Sequence, residues 1–292
     1  MLGTLLHAVH RADGREGRRH RQAIVVLAIV LLAACASGPM HDGRSAMRRG
    51  EFEVAARHFR RAAEAHPEEP ATWMALGRAE MAAERFERAR DAFTHVAALR
   101  PSSATPRILV GNTWELQRNY DEALEAYRMA CRVQPDAARP WRVLGTRLLR
   151  WGRSSDAIPA LERALELAPD HAETWNALAM ARWHAEDHTG ALQQFETGVE
   201  RFPEHAGLRL GLAAALINER RYDEALAAYD ALLERTPDVA PVLVGRAILL
   251  HELGRRDEAL VSFERAVLAS GGAESYRARL AEYRALLARE PR

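Results

Sequence analysis

Between residues 138 and 171 the apolar positions form two stripes. Trp141, Leu144, Gly145 and Leu148 stand at i, i+3, i+4 and i+7, which is one face of a helix. Gly152 closes that helix. A second stripe, Ala157, Leu161, Ala164 and Leu165, stops before Pro169 and Asp170. A proline cannot continue a helix, so the stretch predicts a helical hairpin that ends there. The small residues let its two helices approach closely.

The same pattern recurs without insertion or deletion. Pro67, Pro101, Pro135, Pro169, Pro203 and Pro237 are each 34 residues apart. Twelve residues before each proline is an alanine: Ala55, Ala89, Ala123, Ala157, Ala191 and Ala225. Ala259 continues the series, with Gly271 in place of the proline. Four residues after each alanine is a large apolar residue: Phe59, Phe93, Tyr127, Leu161, Phe195, Tyr229 and Phe263. Twelve residues before each alanine the residue is small: Gly43, Gly77, Gly111, Gly145, Ala179, Ala213 and Ala247. Seven units fill 36–69, 70–103, 104–137, 138–171, 172–205, 206–239 and 240–273. A period in this range predicts a solenoid, because one hairpin cannot bury its apolar face alone. A last helix, to about Arg289, carries Tyr276, Leu280, Tyr283 and Leu287 on one face. Arg277, Arg279, Glu282 and Arg284 lie on the other, so 274–292 reads as a capping helix.

Trp73-Leu76-Gly77, Ala89, Phe93 and Pro101 in one unit, and Trp141-Leu144-Gly145, Ala157, Leu161 and Pro169 in another, carry a family pattern. The chain resembles the tetratricopeptide repeat. That resemblance implies an all-α, right-handed superhelix whose first helices line a concave, ligand-binding groove.

The front of the chain differs. Residues 23–34, AIVVLAIVLLAA, follow Arg18-Arg19-His20-Arg21 and read as a secretory signal covering 1–34. The run is shorter than the about 20 apolar residues of a membrane-spanning helix. Leu32-Ala33-Ala34-Cys35 resembles the bacterial lipobox, which implies cleavage before Cys35 and a lipidated Cys35 as membrane anchor. Ala36 after the cysteine favours an outer-membrane lipoprotein facing the periplasm of a Gram-negative cell. An ordinary signal cut near Ala34 is the alternative. Residues 35–42 read as a tether, with helix expected from Asp42 and the solenoid over 43–273, close to the membrane surface.

Charge gives no case for nucleic acid. All 41 basic residues are arginine, which we read as genomic composition bias. Removing the five arginines and two acids of residues 1–34 from the 41 basic and 40 acidic residues leaves a net charge of −2, with interleaved signs. No catalytic constellation, metal set, cofactor motif or small-molecule site stands out. His184 and His188 bracket a turn, and His251-Glu252 lacks the second histidine of a zinc protease motif. Cys131 falls at a packing position of a second helix and reads as a buried, unpaired thiol. Trp114 reads as core, and Trp151 as packing near a turn. Pro159 stands inside a second helix, where a proline costs roughly 3 kcal/mol. It calls for a kink, or for a late start capped by Asp156. Units two to four are expected to hold the fullest cores, while units five to seven drift from the pattern, with Gly198 at a helix-packing position.

The resemblance places the groove on the first helices. It implies Ile108 and Asn112 in unit three, and Arg139, Arg142 and Thr146 in unit four. Units five to seven offer Asn176, Met180 and Trp183, then Leu210 and Ile217, then Val244 and Ile248. Arginines beside solvent-facing apolar residues suit a peptide or helix of a protein partner, unless those residues pack on one another or under the cap. Trp183 is expected partly exposed, near Arg142 and Ile217. A lipidated cysteine ahead of tandem repeats is similar in architecture to the pilotin lipoproteins of type IV pilus systems, implying a non-enzymatic scaffold for pilus or secretion assembly. An adaptor for peptidoglycan hydrolases or envelope polysaccharide export is the alternative.

Overall fold

The computed structural model describes residues 38–289. Cys35 and the signal segment lie outside the described residues. Fifteen α-helices and no strand occur among the described residues. They are α1 Pro39–Arg48, α2 Phe52–Ala65, α3 Pro70–Ala82, α4 Phe86–Leu99, α5 Thr105–Leu116, α6 Tyr120–Val133, α7 Ala138–Arg150 and α8 Ser154–Leu167. Then come α9 Ala172–His184, α10 His188–Arg201, α11 Ala206–Asn218, α12 Tyr222–Arg235, α13 Ala240–Glu252, α14 Arg256–Ala269 and α15 Glu274–Arg289. This is an all-α solenoid of seven hairpins plus a final helix. It divides into two compact units that meet in sequence at Gln134 and Pro135. The first holds α1–α6 and the second α7–α15.

Inside each hairpin the packing follows from the small and large positions. All seven alanines, from Ala55 to Ala259, are completely buried. In the first four hairpins a β-carbon on the first-helix glycine would stand 2.4–2.5 Å from the large residue of the second helix: Gly43 against Phe59, Gly77 against Phe93, Gly111 against Tyr127, Gly145 against Leu161. The missing β-carbon is the space the side chain fills. In hairpins five and six the first helix carries Ala179 and Ala213, both fully buried. There the glycine that meets the ring lies in the next hairpin: a β-carbon on Gly211 would meet Phe195 at 2.1 Å and one on Gly245 would meet Tyr229 at 2.8 Å. Gly198 likewise lets α10 approach Leu208 of α11. Despite the drift of these units, one apolar cluster runs continuously through α11–α15, with Leu243, Leu249 and Leu250 at its centre.

Every hairpin turn uses one backbone device. Gly50, Glu84, Arg118, Gly152, Glu186, Arg220 and Gly254, spaced 34 residues apart, all have φ between 58° and 76°. At the fourth turn the Gly152 amide donates to the Leu149 carbonyl at 3.0 Å, and the Arg153 amide to Leu148 at 2.9 Å. This is the Schellman pattern, which needs a left-handed residue. That conformation costs a non-glycine residue about 1–2 kcal/mol, against a glycine entropy cost of about 0.5–1 kcal/mol. Gly152→Ala is therefore expected to destabilise the chain by about 1 kcal/mol, and Glu186→Gly to stabilise it by about 0.5 kcal/mol. Urea denaturation would show the two shifts, and shifts of the same sign would contradict the turn geometry.

The proline ladder sets the other end of each unit. The residue before a proline is steered away from helical backbone, and His66, Arg100, Gln134, Ala168, Phe202 and Thr236 end their helices at φ between −147° and −129°. Ser270, with no proline after it, stays at φ −84°, and Gly271 and Gly272 turn the chain instead. The proline carbonyls have a second use. The indole N–H groups of Trp73, Trp141 and Trp175 donate to the carbonyls of Pro67, Pro135 and Pro169 at 2.8–2.9 Å. Arg209 takes the place of tryptophan in unit six, and its Nε donates to the Pro203 carbonyl at 2.7 Å. The carbonyls of Pro67, Pro135, Pro169 and Pro203 thus each hold the first helix that follows them.

Two expectations about helix limits need correction. Helix α1 starts at Pro39 rather than Asp42, because a proline at the first helical position has its φ preset and lacks only an amide that has no partner there. The helix therefore begins three residues before the expected point. Helix α8 does not start late at Asp156: it runs from Ser154 with Pro159 inside it. The amide that Pro159 lacks would have bonded to Ser155, and both residues are exposed, so water can reach that carbonyl.

Helix α15 keeps the repeat register. Glu264 of α14 accepts from Arg284 of α15 at 2.7 Å, and Glu162 of α8 from Arg182 of α9 at 2.8 Å. These pairs occupy equivalent places in their units. The first unit has the same pair with its signs exchanged, Arg60 of α2 on Glu80 of α3. Helix α15 thus stands where the first helix of an eighth hairpin would. Tyr283 is buried on the α11–α15 cluster, and Tyr276, Leu280 and Leu287 pack against it.

Candidate protein-binding face

In the second unit the first helices touch in succession, α7 with α9 and α9 with α11. They carry most of the residues expected to bind. Arg139 and Arg142 lie on α7, Arg139 exposed and Arg142 half-buried. The Thr146 hydroxyl donates to the carbonyl of Arg142 at 2.8 Å, so its hydrogen turns back to its own helix. On α9, Asn176 fits its amide against the gap left by Gly207 of α11, 3.3 Å from where a β-carbon would stand. Met180 and Trp183 are half-buried against the cluster of Phe195 and Leu208. The Trp183 ring rests on His188, the first residue of α10, with centroids 4.6 Å apart. His184 and His188 therefore stand on either side of the turn. On α11, Leu210 is 39% exposed and Ile217 half-buried. On α13, Ile248 is 50% exposed.

The structure removes two residues from the groove. Val244 is buried, because Tyr276 and Arg279 of α15 close over it in a small cleft of about 220 Å³. Ile108 is buried in α5. Asn112 is half-buried, and its Oδ1 accepts the hydroxyl proton of buried Tyr127 at 2.8 Å, so it is held to its own hairpin. A third correction concerns Trp114. It is half-buried rather than core, and the Arg90 guanidinium stacks on its ring at 3.6 Å. The sequence reading also missed Arg279, Glu282 and Leu286, which line a cleft of about 370 Å³ with Ile248. Glu282 follows Ile248 by one period, so extending the repeat register into the cap would have found it.

Cys131 is a free, buried cysteine, as expected. Burial pushes its thiol up to about 12, so it stays neutral across physiological pH and is a poor nucleophile.

Hairpins stacked through small residues, with first helices side by side, define an α-solenoid of the kind used for protein–protein interaction. Tetratricopeptide repeat profiles match residues 42–104, 74–140, 142–206 and 182–243. The chain belongs to the tetratricopeptide repeat family, whose members are generally non-catalytic interaction scaffolds. Several solved structures share the fold. YrrB, a TPR protein with an unusual peptide-binding site, is 24% identical with a TM-score of 0.52, over 64% of this chain and 97% of its own. The pilF protein of Pseudomonas aeruginosa is 21% identical with a TM-score of 0.57, over 73% and 97%. The C-terminal part of a TPR repeat-containing protein from Cytophaga hutchinsonii is 12% identical with a TM-score of 0.64, over 80% and 96%. No curated protein sequence matches the chain.

Proposed function

We propose that the chain is a lipid-anchored, non-enzymatic scaffold of the bacterial envelope, facing the periplasm and serving assembly of a pilus or secretion complex. It binds a peptide or helix of its partner on the first helices of the second unit. The observation that supports the binding site is the set of large apolar side chains on these first helices that keep solvent access, Leu210 and Ile248 exposed and Met180 and Trp183 half-buried, with Arg139 exposed on α7. A part-exposed tryptophan is the kind of residue that dominates binding hot spots.

Trp183→Ala is expected to weaken partner capture by about 2 kcal/mol or more, with little change in stability. Arg142→Glu should weaken it by a route that added salt partly masks. Affinity capture from envelope extract, comparing both variants with wild type, is the test. Equal recovery of the same partners by folded variants would remove the first-helix face from consideration. The anchor is tested separately. Cys35→Ser should leave an unlipidated precursor, and mass spectrometry of the wild-type membrane fraction should show an acylated Cys35. An unmodified mature amino terminus in the wild type would end the lipoprotein reading.

A further inference from the structure

The third hairpin departs from its neighbours at one place in the repeat. Trp73, Trp141 and Trp175 share a register position, and Arg107 holds that position in the third hairpin. In the second hairpin the Trp73 ring lies on His95, with centroids 4.1 Å apart, and its N–H donates to the Pro67 carbonyl at 2.9 Å. One period later the counterparts of Trp73, His95 and Pro67 are Arg107, Met129 and Pro101. These three line an open cleft of about 460 Å³, whose other walls include Ala97, Val110 and Ala126. Met129 is 40% exposed. The walls come from α4, α5 and α6, so the cleft belongs to the first unit, whereas the Trp183 face belongs to the second.

Two polar groups of this cleft lack the partners that their counterparts have. The carbonyls of Pro67, Pro135, Pro169, Pro203 and Pro237 each accept a side-chain N–H of tryptophan or arginine. Among the described residues, no donor reaches the Pro101 carbonyl. Arg107 turns its Nη1 to the Ser103 carbonyl at 2.8 Å and has no carboxylate partner among the described residues. The sixth hairpin also replaces tryptophan with arginine, but it satisfies the same groups internally. Arg209 lines a cleft of about 340 Å³, where Glu196, Leu212 and Ala228 stand three periods after Thr94, Val110 and Ala126. There Arg209 itself donates to the Pro203 carbonyl, and Arg221 holds Glu196.

We propose that the cleft of the third hairpin receives a tryptophan side chain of a partner protein, with an acidic residue beside it. The chain's own repeats show the fit, since in three of them an indole bonded to the proline carbonyl occupies the equivalent place. An indole combines a large apolar body with one N–H that needs a partner when buried. The alanines and Val110 offer apolar surface, and the Met129 thioether makes favourable contacts with an aromatic ring. The indole N–H would donate to the Pro101 carbonyl, and the neighbouring carboxylate would accept from Arg107. The site takes one side chain on its own surface, so it does not depend on the first-helix face or on the lipid anchor.

The test uses the full chain in detergent and short fluorescein-labelled peptides with a central tryptophan flanked by glutamates. Anisotropy titration should show about tenfold weaker binding when alanine replaces that tryptophan. Methylating the indole nitrogen removes its donor and should weaken binding by about threefold or more. Arg107→Trp gives the third hairpin its own indole, so the variant should melt higher than wild type and lose peptide binding. Arg107→Ala leaves the cleft open, so it should keep the preference for tryptophan over alanine while losing the preference for glutamate over lysine flanks. Trp183→Ala should leave peptide binding within about twofold of wild type, because the two sites lie in different units. The inference is overturned if tryptophan and alanine peptides bind alike, or if the methylated indole binds as well as the free one. It is also overturned if Arg107→Trp binds the peptide as wild type does, if Arg107→Ala still prefers glutamate flanks, or if Trp183→Ala abolishes binding.

Discussion

Phe93→Ala is expected to lower stability by about 3–5 kcal/mol, the range for a fully buried aromatic cut to alanine. The more discriminating result comes from Gly77. A β-carbon there would lie 2.5 Å from the Phe93 ring, so Gly77→Ala alone should overpack the hairpin and cost about 1–3 kcal/mol. With Phe93 already alanine, the ring is gone and the clash with it. The same Gly77→Ala should then stabilise, by about 0.5–1 kcal/mol, because glycine is an unfavourable residue inside a helix. The sign of one substitution would reverse with the identity of one neighbour. Chemical denaturation of the four proteins in this cycle measures the coupling. Additive effects would mean that the glycine serves something other than the ring.

Arg60→Ala is expected to cost about 2–3 kcal/mol. Glu80 is completely enclosed. One of its oxygens takes the Arg60 guanidinium, while Oε2 lies 3.8 Å from Arg85 without a hydrogen bond. Removing Arg60 would leave a buried carboxylate with that distant partner alone, a change that costs about 3–5 kcal/mol for a fully buried pair. Arg60 is itself partly solvated, which lowers the figure. The pair's existence and its net contribution are different quantities. Arg60→Met/Glu80→Leu removes both charges and keeps the volume, so its melting temperature should return to within a few degrees of wild type. A single variant that melts like wild type would show the carboxylate to be solvated after all.

Much of the fold could be read from the chain because a period leaves the same residue types in the same places. The buried alanines, the rings facing them and the proline stops are all visible as spacings. What the period did not disclose was context. Glu84, Arg118, Glu186 and Arg220 look like ordinary polar ends of helices, and only their phase with Gly50, Gly152 and Gly254 marks them as left-handed. Val244 has the spacing of a groove residue, but the cap that closes over it belongs to a different part of the chain. The place of Trp114 in its unit predicts a core residue. Its surroundings differ because Arg90 stands where other units put a small or apolar residue such as Ala56 or Leu124.

The choice between two glycines divides the hairpins into two mechanical kinds. Where the ring closes onto Gly43, Gly77, Gly111 or Gly145, both sides of the contact belong to one hairpin. Such a hairpin closes its own ring socket yet still stacks on the next: Phe59 shares a buried cluster with Leu76 and Ala79, and Arg60 holds Glu80. Where the ring enters Gly211 or Gly245, the socket belongs to the hairpin that follows. Hairpins five to seven are mortised together, so a pull or a deletion at one joint must open the next. The Trp183 face and the last helices therefore share their ring sockets from one hairpin to the next, and a loss at one joint is felt at its neighbour.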